Sequence, residues 1–100
     1  MNTNSHRRAL LAVFEAGLGP LVEVEARTRS WASATFAGTR HTLGFVVGAE
    51  AKLVAFQAGL GDLEIALRGG FVADIAVVSI TRCDDERRRV VVDALVIDDV

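Results

Sequence analysis

Between Leu21 and Phe36 apolar and charged residues alternate with a period of two. Val22, Val24, Ala26, Ala32, Ala34 and Phe36 share one parity, and Glu23, Glu25, Arg27 and Arg29 share the other. Successive side chains of a strand point to opposite faces, so the pattern predicts a strand with one dry and one wet face. The next segment repeats it through His41, Leu43, Phe45 and Val47. A two-residue turn at Ala37-Gly38 would join the two as a hairpin, the glycine supplying torsion angles that other residues avoid. In that register Phe36 faces Thr39, Ala34 faces His41 and Ala32 faces Leu43, and the two dry faces coincide.

Helical spacing replaces alternation on either side of this hairpin. Upstream, Leu10, Val13, Phe14 and Gly17 form one stripe. Asn4 or Ser5 can cap the first turn, and Gly17, Gly19 and Pro20 stop the helix. His6, Arg7 and Arg8 stand at the end of this helix that disfavours positive charge, so their stabilising partners must lie elsewhere. Downstream, Ala49, Leu53, Phe56 and Leu60 make a second stripe, closed by Gly59 or Gly61. The rest reads as strand: DLEIAL, a tight Gly69-Gly70 turn, the run FVADIAVVSIT, a charged turn, and RVVVDALVI. The predicted fold is a single α+β domain over residues 1–100, in the order α-β-β-α-β-β-β. Two layers are expected: an antiparallel five-stranded sheet with both helices on one face.

The last two strands depart from clean alternation. Val72, Ala76, Val78 and Ile80 fall on one parity with Asp74, yet Phe71, Ala73, Ile75 and Val77 on the other are apolar too. The final strand has Val90, Val92, Ala94 and Val96 on one side and Val91, Leu95 and Ile97 on the other. An antiparallel sheet wet on one side should not look like this. The expected remedy is a homodimer in which Ala73, Ile75, Val77, Val91, Leu95 and Ile97 meet a second copy. Covering about 500 Å² per subunit at about 25 cal/mol per Å² would contribute roughly 12 kcal/mol before association costs.

Composition narrows the function classes. A chain of 100 residues with 51% hydrophobic residues and a net charge of −2 lacks the basic excess of nucleic-acid modules. The segment DDERRR sets three acids before three bases and reads as a solvated hairpin tip. One cysteine, Cys83, cannot form an internal disulfide and is expected to be a free thiol near a turn. The apolar run Ala9–Phe14 is cut by Glu15, too short for a secretory signal, and no window approaches a membrane span. A soluble cytoplasmic protein without membrane or nucleic-acid partners is the expectation. GLG and RGG lack the lysine and strand-to-helix context of phosphate loops, the serines show no nucleophile elbow, and His6 and His41 lack metal-ligand spacing. No cofactor and no metal are expected.

Three features remain as candidate sites. Trp31, the only tryptophan, falls on the wet face with Arg27 and Arg29 and, in the expected register, across from Gly44. It can cover bare glycine backbone, or anchor a protein partner together with Arg29, Arg27 and Arg40, since tryptophan and arginine dominate interface energetics. Asp74 places a carboxylate in an apolar strand, where it needs a partner, a proton or an opening; Asp93 is a fainter case. His41 falls on the dry face near a turn, expected half-buried and hydrogen-bonded. Asp74 and His41 are weak catalytic candidates. The favoured reading is a small non-catalytic protein acting by self-association and protein docking. The alternative is a small-molecule binding domain or modest enzyme with a pocket around Asp74 and His41.

Overall fold

The computed structural model describes residues 3–99. Helix α1 (Thr3–Leu18) leads into strands β1 (Leu21–Ala32) and β2 (Ala37–Gly48). Helix α2 (Leu53–Gly59) and a 3-10 turn over Leu60–Asp62 follow, then strands β3 (Gly70–Arg82) and β4 (Arg87–Asp98). The sheet is antiparallel throughout, in the order β1-β2-β4-β3.

α1 forms where the apolar stripe predicts it, burying His6, Leu10, Phe14 and Leu18 at intervals of one turn. It stops at Gly19, whose φ of +88° few other residues tolerate and whose N–H donates to the Glu15 carbonyl at 2.8 Å. The misplaced positive charge of its first turns finds an acid on β1: Arg7 donates to Glu23 at 2.6 Å. The core lies between the helices and the two central strands. Leu43, Phe45, Val90 and Val92 are buried beneath Leu10 and Phe14. The Phe14 ring stacks on Phe45 and meets Phe56 edge-on, both at 5.6 Å between centroids. Burying such side chains stabilises the fold by about 1.5–3 kcal/mol each.

The sheet has four strands, not five. Residues 62–67, expected as a strand, make no ladder with the sheet beyond an isolated bridge from Leu67 to Gly70. Ile65 packs against the core from a loop, which explains the error: an extended connection that drops alternate side chains inward shows the same short alternation as a strand. Gly69, at φ +76°, turns the chain, and β3 then pairs with β4 alone.

The first hairpin also differs in register. Its loop is Ser33–Phe36, closed by a 2.8 Å bond from the Ser33 N–H to the Phe36 carbonyl, with the Ser33 hydroxyl accepting from the Phe36 N–H at 3.1 Å. Thr39 therefore faces Ser30 rather than Phe36, His41 faces Thr28 rather than Ala34, and Leu43 faces Ala26 rather than Ala32. A slide by an even number of residues leaves every side chain on its own face, so alternation could not reveal it.

Bulges account for the remaining corrections. A register shift between Glu23 and Glu25 turns Glu23 toward α1 and leaves Val22 and Val24, expected on the dry face, 66% and 46% exposed. In β3, shifts between Val72 and Asp74 and between Val77 and Ser79 place Ile75 opposite Ala94 and Val77 opposite Val92, on the core side. Of the residues assigned to a second copy, Val91, Leu95 and Ile97 face outward, Ile75 and Val77 face the helices, and Ala73 sits exposed in a bulge. Leu95 and Ile97 are only 7% and 4% exposed within one chain.

Candidate functional site

The helices cover one face of the sheet, and the other carries cross-strand rows, four of which bear on the site. Trp31, Gly38, Ile97 and Phe71 form the first, and Arg29, Arg40, Leu95 and Asp74 the second. Arg27, Thr42, Asp93 and Ala76 form the third, and Glu25, Gly44, Val91 and Ser79 the fourth. The β1 alternation predicted that Trp31, Arg27 and Arg29 share the outer face, and they do. The glycine across from Trp31 is Gly38, however, and Glu25 takes the place opposite Gly44.

A groove of about 340 Å³ opens over the second and third rows, lined by Arg27, Thr28, Arg29, Arg40, Thr42 and Asp93. Three guanidinium groups thus surround one carboxylate on a chain whose net charge is −2. That carboxylate is engaged: Thr42 donates its hydroxyl to Asp93 at 2.7 Å, and Arg40 stands 3.8 Å away. The neighbouring acid, Glu25, is shared between Arg27 and Arg89, each at 2.8 Å. Arg29 makes no ion pair among the described residues, and its direct cross-strand neighbour is Arg40. Like charges directly opposite each other destabilise a sheet, and a bound anion relieves that repulsion. No imidazole or thiol lines the groove, so it has the means to bind and orient an acidic group but no such base or nucleophile to act on it.

Asp74 and His41 are not brought together. The bulge before Asp74 puts it on the outer face, exposed and opposite Leu95, whereas His41 lies on the helix face with no exposed surface. Neither nitrogen of His41 has a hydrogen-bond partner, in contrast to the half-buried, bonded state expected. Burial, reinforced by the charge of His6, lowers its pKa. Asp93 is half-buried and hydrogen-bonded, the satisfied outcome. The DDERRR tip resolves into local pairs: Arg87 holds Asp84 at 2.7 Å and keeps its carboxyl below the usual carboxylate range, while Cys83 is a free, exposed thiol.

Two features were missed from sequence. Thr42 orients Asp93 across 51 residues of chain; its parity with Arg40 was a signal, but only the strand order brings β4 beside β2. An apolar cleft of about 480 Å³ separates α1 from α2, floored by Val13, Gly17, Phe56 and Leu63 with Lys52 at its rim. Among the described residues no group of three or more His, Cys, Asp or Glu could hold a metal ion, and no helix is long and apolar enough to cross a membrane. No protein-family model, curated protein or solved structure matches this chain.

Proposed function

We propose that this chain is a non-catalytic binding module whose outer sheet face docks an acidic segment of a protein partner. One observation carries the reading: Arg29 and Arg40 stand directly opposite each other over a groove, and Arg29 has no acid of its own among the described residues. Arg27 extends the cationic floor, and Trp31 lies one row further along the same face. Planar guanidinium groups grip carboxylates in bidentate fashion, and a half-buried indole supplies apolar contact at low entropic cost. The negative net charge favours a short acidic peptide over the extended phosphate backbone of a nucleic acid.

Exposed charge pairs contribute about 0.2–1 kcal/mol each, so three arginines supply at most about 3 kcal/mol and an acidic peptide lacking apolar anchors should bind with a Kd on the order of millimolar or weaker. Titration with hexaglutamate, followed by the fluorescence of Trp31, tests this; the chain has one tryptophan and no tyrosine. A saturable change that weakens with added salt and is lost in Arg29→Glu supports the reading. No change, or an equal response to hexalysine, contradicts it.

A further inference from the structure

The cleft between α1 and α2, at about 480 Å³, is larger than the arginine groove and falls within the range of about 300–1000 Å³ usual for small-molecule sites. Phe56 forms its floor, and Leu63, 43% exposed, stands at its opening. Two of its residues are helical glycines, Gly17 and Gly59. Glycine weakens a helix relative to alanine, and nothing within the chain asks for it at either place. Neither has a positive φ; a Cβ at Gly17 would make an ordinary 3.7 Å contact with the Phe56 ring, and one at Gly59 would meet nothing within 4 Å. What the missing side chains leave is room.

The lining is apolar with one exception. Lys52, the only lysine in the chain, stands at the rim, exposed and without an ion pair among the described residues. No acid lines the cleft. One ammonium at one end of an apolar slot complements a single negative head on an apolar tail, and an ammonium is a point charge that sets no bidentate geometry. At about 1.5 Å per residue, α2 runs about 10 Å from Lys52 to Gly59, the length of a tail of about eight methylenes. We infer that this cleft binds a medium-chain aliphatic carboxylate, its head at Lys52 and its tail over Phe56 between Gly17 and Gly59.

This site lies among the helices and goes beyond the acidic-segment reading on the opposite face of the sheet, so either can fail alone. Decanoate, titrated well below its micellar concentration into the labelled chain, should bind with a Kd on the order of 1 mM if about half of the tail surface is covered. Saturable amide shifts should appear at Val13, Gly17, Phe56, Gly59 and Leu63, with the Trp31 indole N–H and Arg29 unmoved. Octanoate, two methylenes shorter, should bind about fourfold more weakly. Lys52→Glu should weaken decanoate about fivefold, and Gly59→Phe, which fills the slot, should abolish the shifts while a thermal melt confirms that the variant folds. The comparison of chain lengths on the wild type needs no variant. Equal binding of decyltrimethylammonium, shifts confined to the arginine groove, or no saturation at tens of millimolar decanoate would overturn the inference. So would shifts at the same amides on raising the protein concentration alone, which would make a second copy the occupant.

Discussion

The ring of His6 stands edge-on to the ring of His41, with centroids 6.5 Å apart and planes at 69°. His6 donates from Nε2 to the Arg68 carbonyl at 2.7 Å, while neither nitrogen of the fully buried His41 is bonded. A buried imidazole without partners is held neutral, and its folded pKa lies below the ordinary value of 6.5. The unfolded chain therefore takes up this proton more readily than the folded one. The stability associated with His41 is complete above pH about 6.5 and is lost as the pH falls below that value toward the folded pKa.

Urea unfolding at pH 7.5 and pH 5.5 should show this loss in the wild type and a smaller one in His41→Leu. The same substitution removes two unsatisfied polar atoms, so at pH 7.5 it should stabilise the protein by about 1–2 kcal/mol. A destabilised His41→Leu would mean that a hydrogen bond to His41 exists in solution.

Glycine substitutions should divide sharply by position. A Cβ at Gly38 would run into the carbonyl oxygen of Val96, backbone that cannot swing aside. Gly38→Ala should cost about 1–3 kcal/mol. A Cβ at Gly59 meets nothing within 4 Å, at φ −95° near the end of α2. Gly59→Ala should be neutral or stabilise by about 0.4–1 kcal/mol by restricting the unfolded chain. Thermal melts of the two variants side by side check the contrast.

Phe14 joins both helices to the sheet through Phe45 and Phe56 and has no exposed surface. Phe14→Ala should destabilise by about 3–5 kcal/mol, a large part of the 5–15 kcal/mol typical of a domain this size. Guanidinium unfolding would show the midpoint fall, and a loss below about 1 kcal/mol would mean that α1 packs on the sheet less tightly than described.

Much of this architecture was legible in the sequence because local rules and burial agree there. The α1 stripe ends at Gly19 and Pro20, and the β2 alternation through His41, Leu43, Phe45 and Val47 is the dry face of a central strand. What failed were parities that cross a bulge. Val24 and Ala73 are extra residues in their strands, and each reverses the face of everything on one side of it, so Asp74 passes from the expected interior to the surface. That Arg27, Arg29 and Arg40 share the outer face was legible because all three lie beyond the β1 bulge, within one uninterrupted register. Asp93 could not be assigned to their groove without knowing that β4, rather than β3, the next strand in sequence, lies beside β2.

The acidic-segment reading is tested most directly by amide chemical-shift mapping of the labelled chain during titration with hexaglutamate. The predicted result is a cluster of saturable shifts at Arg27, Arg29, Arg40, Thr42 and Asp93, together with the Trp31 indole N–H. Shifts confined to Val13, Gly17 and Phe56 in the cleft between the helices, or no shifts at tens of millimolar peptide, would contradict it.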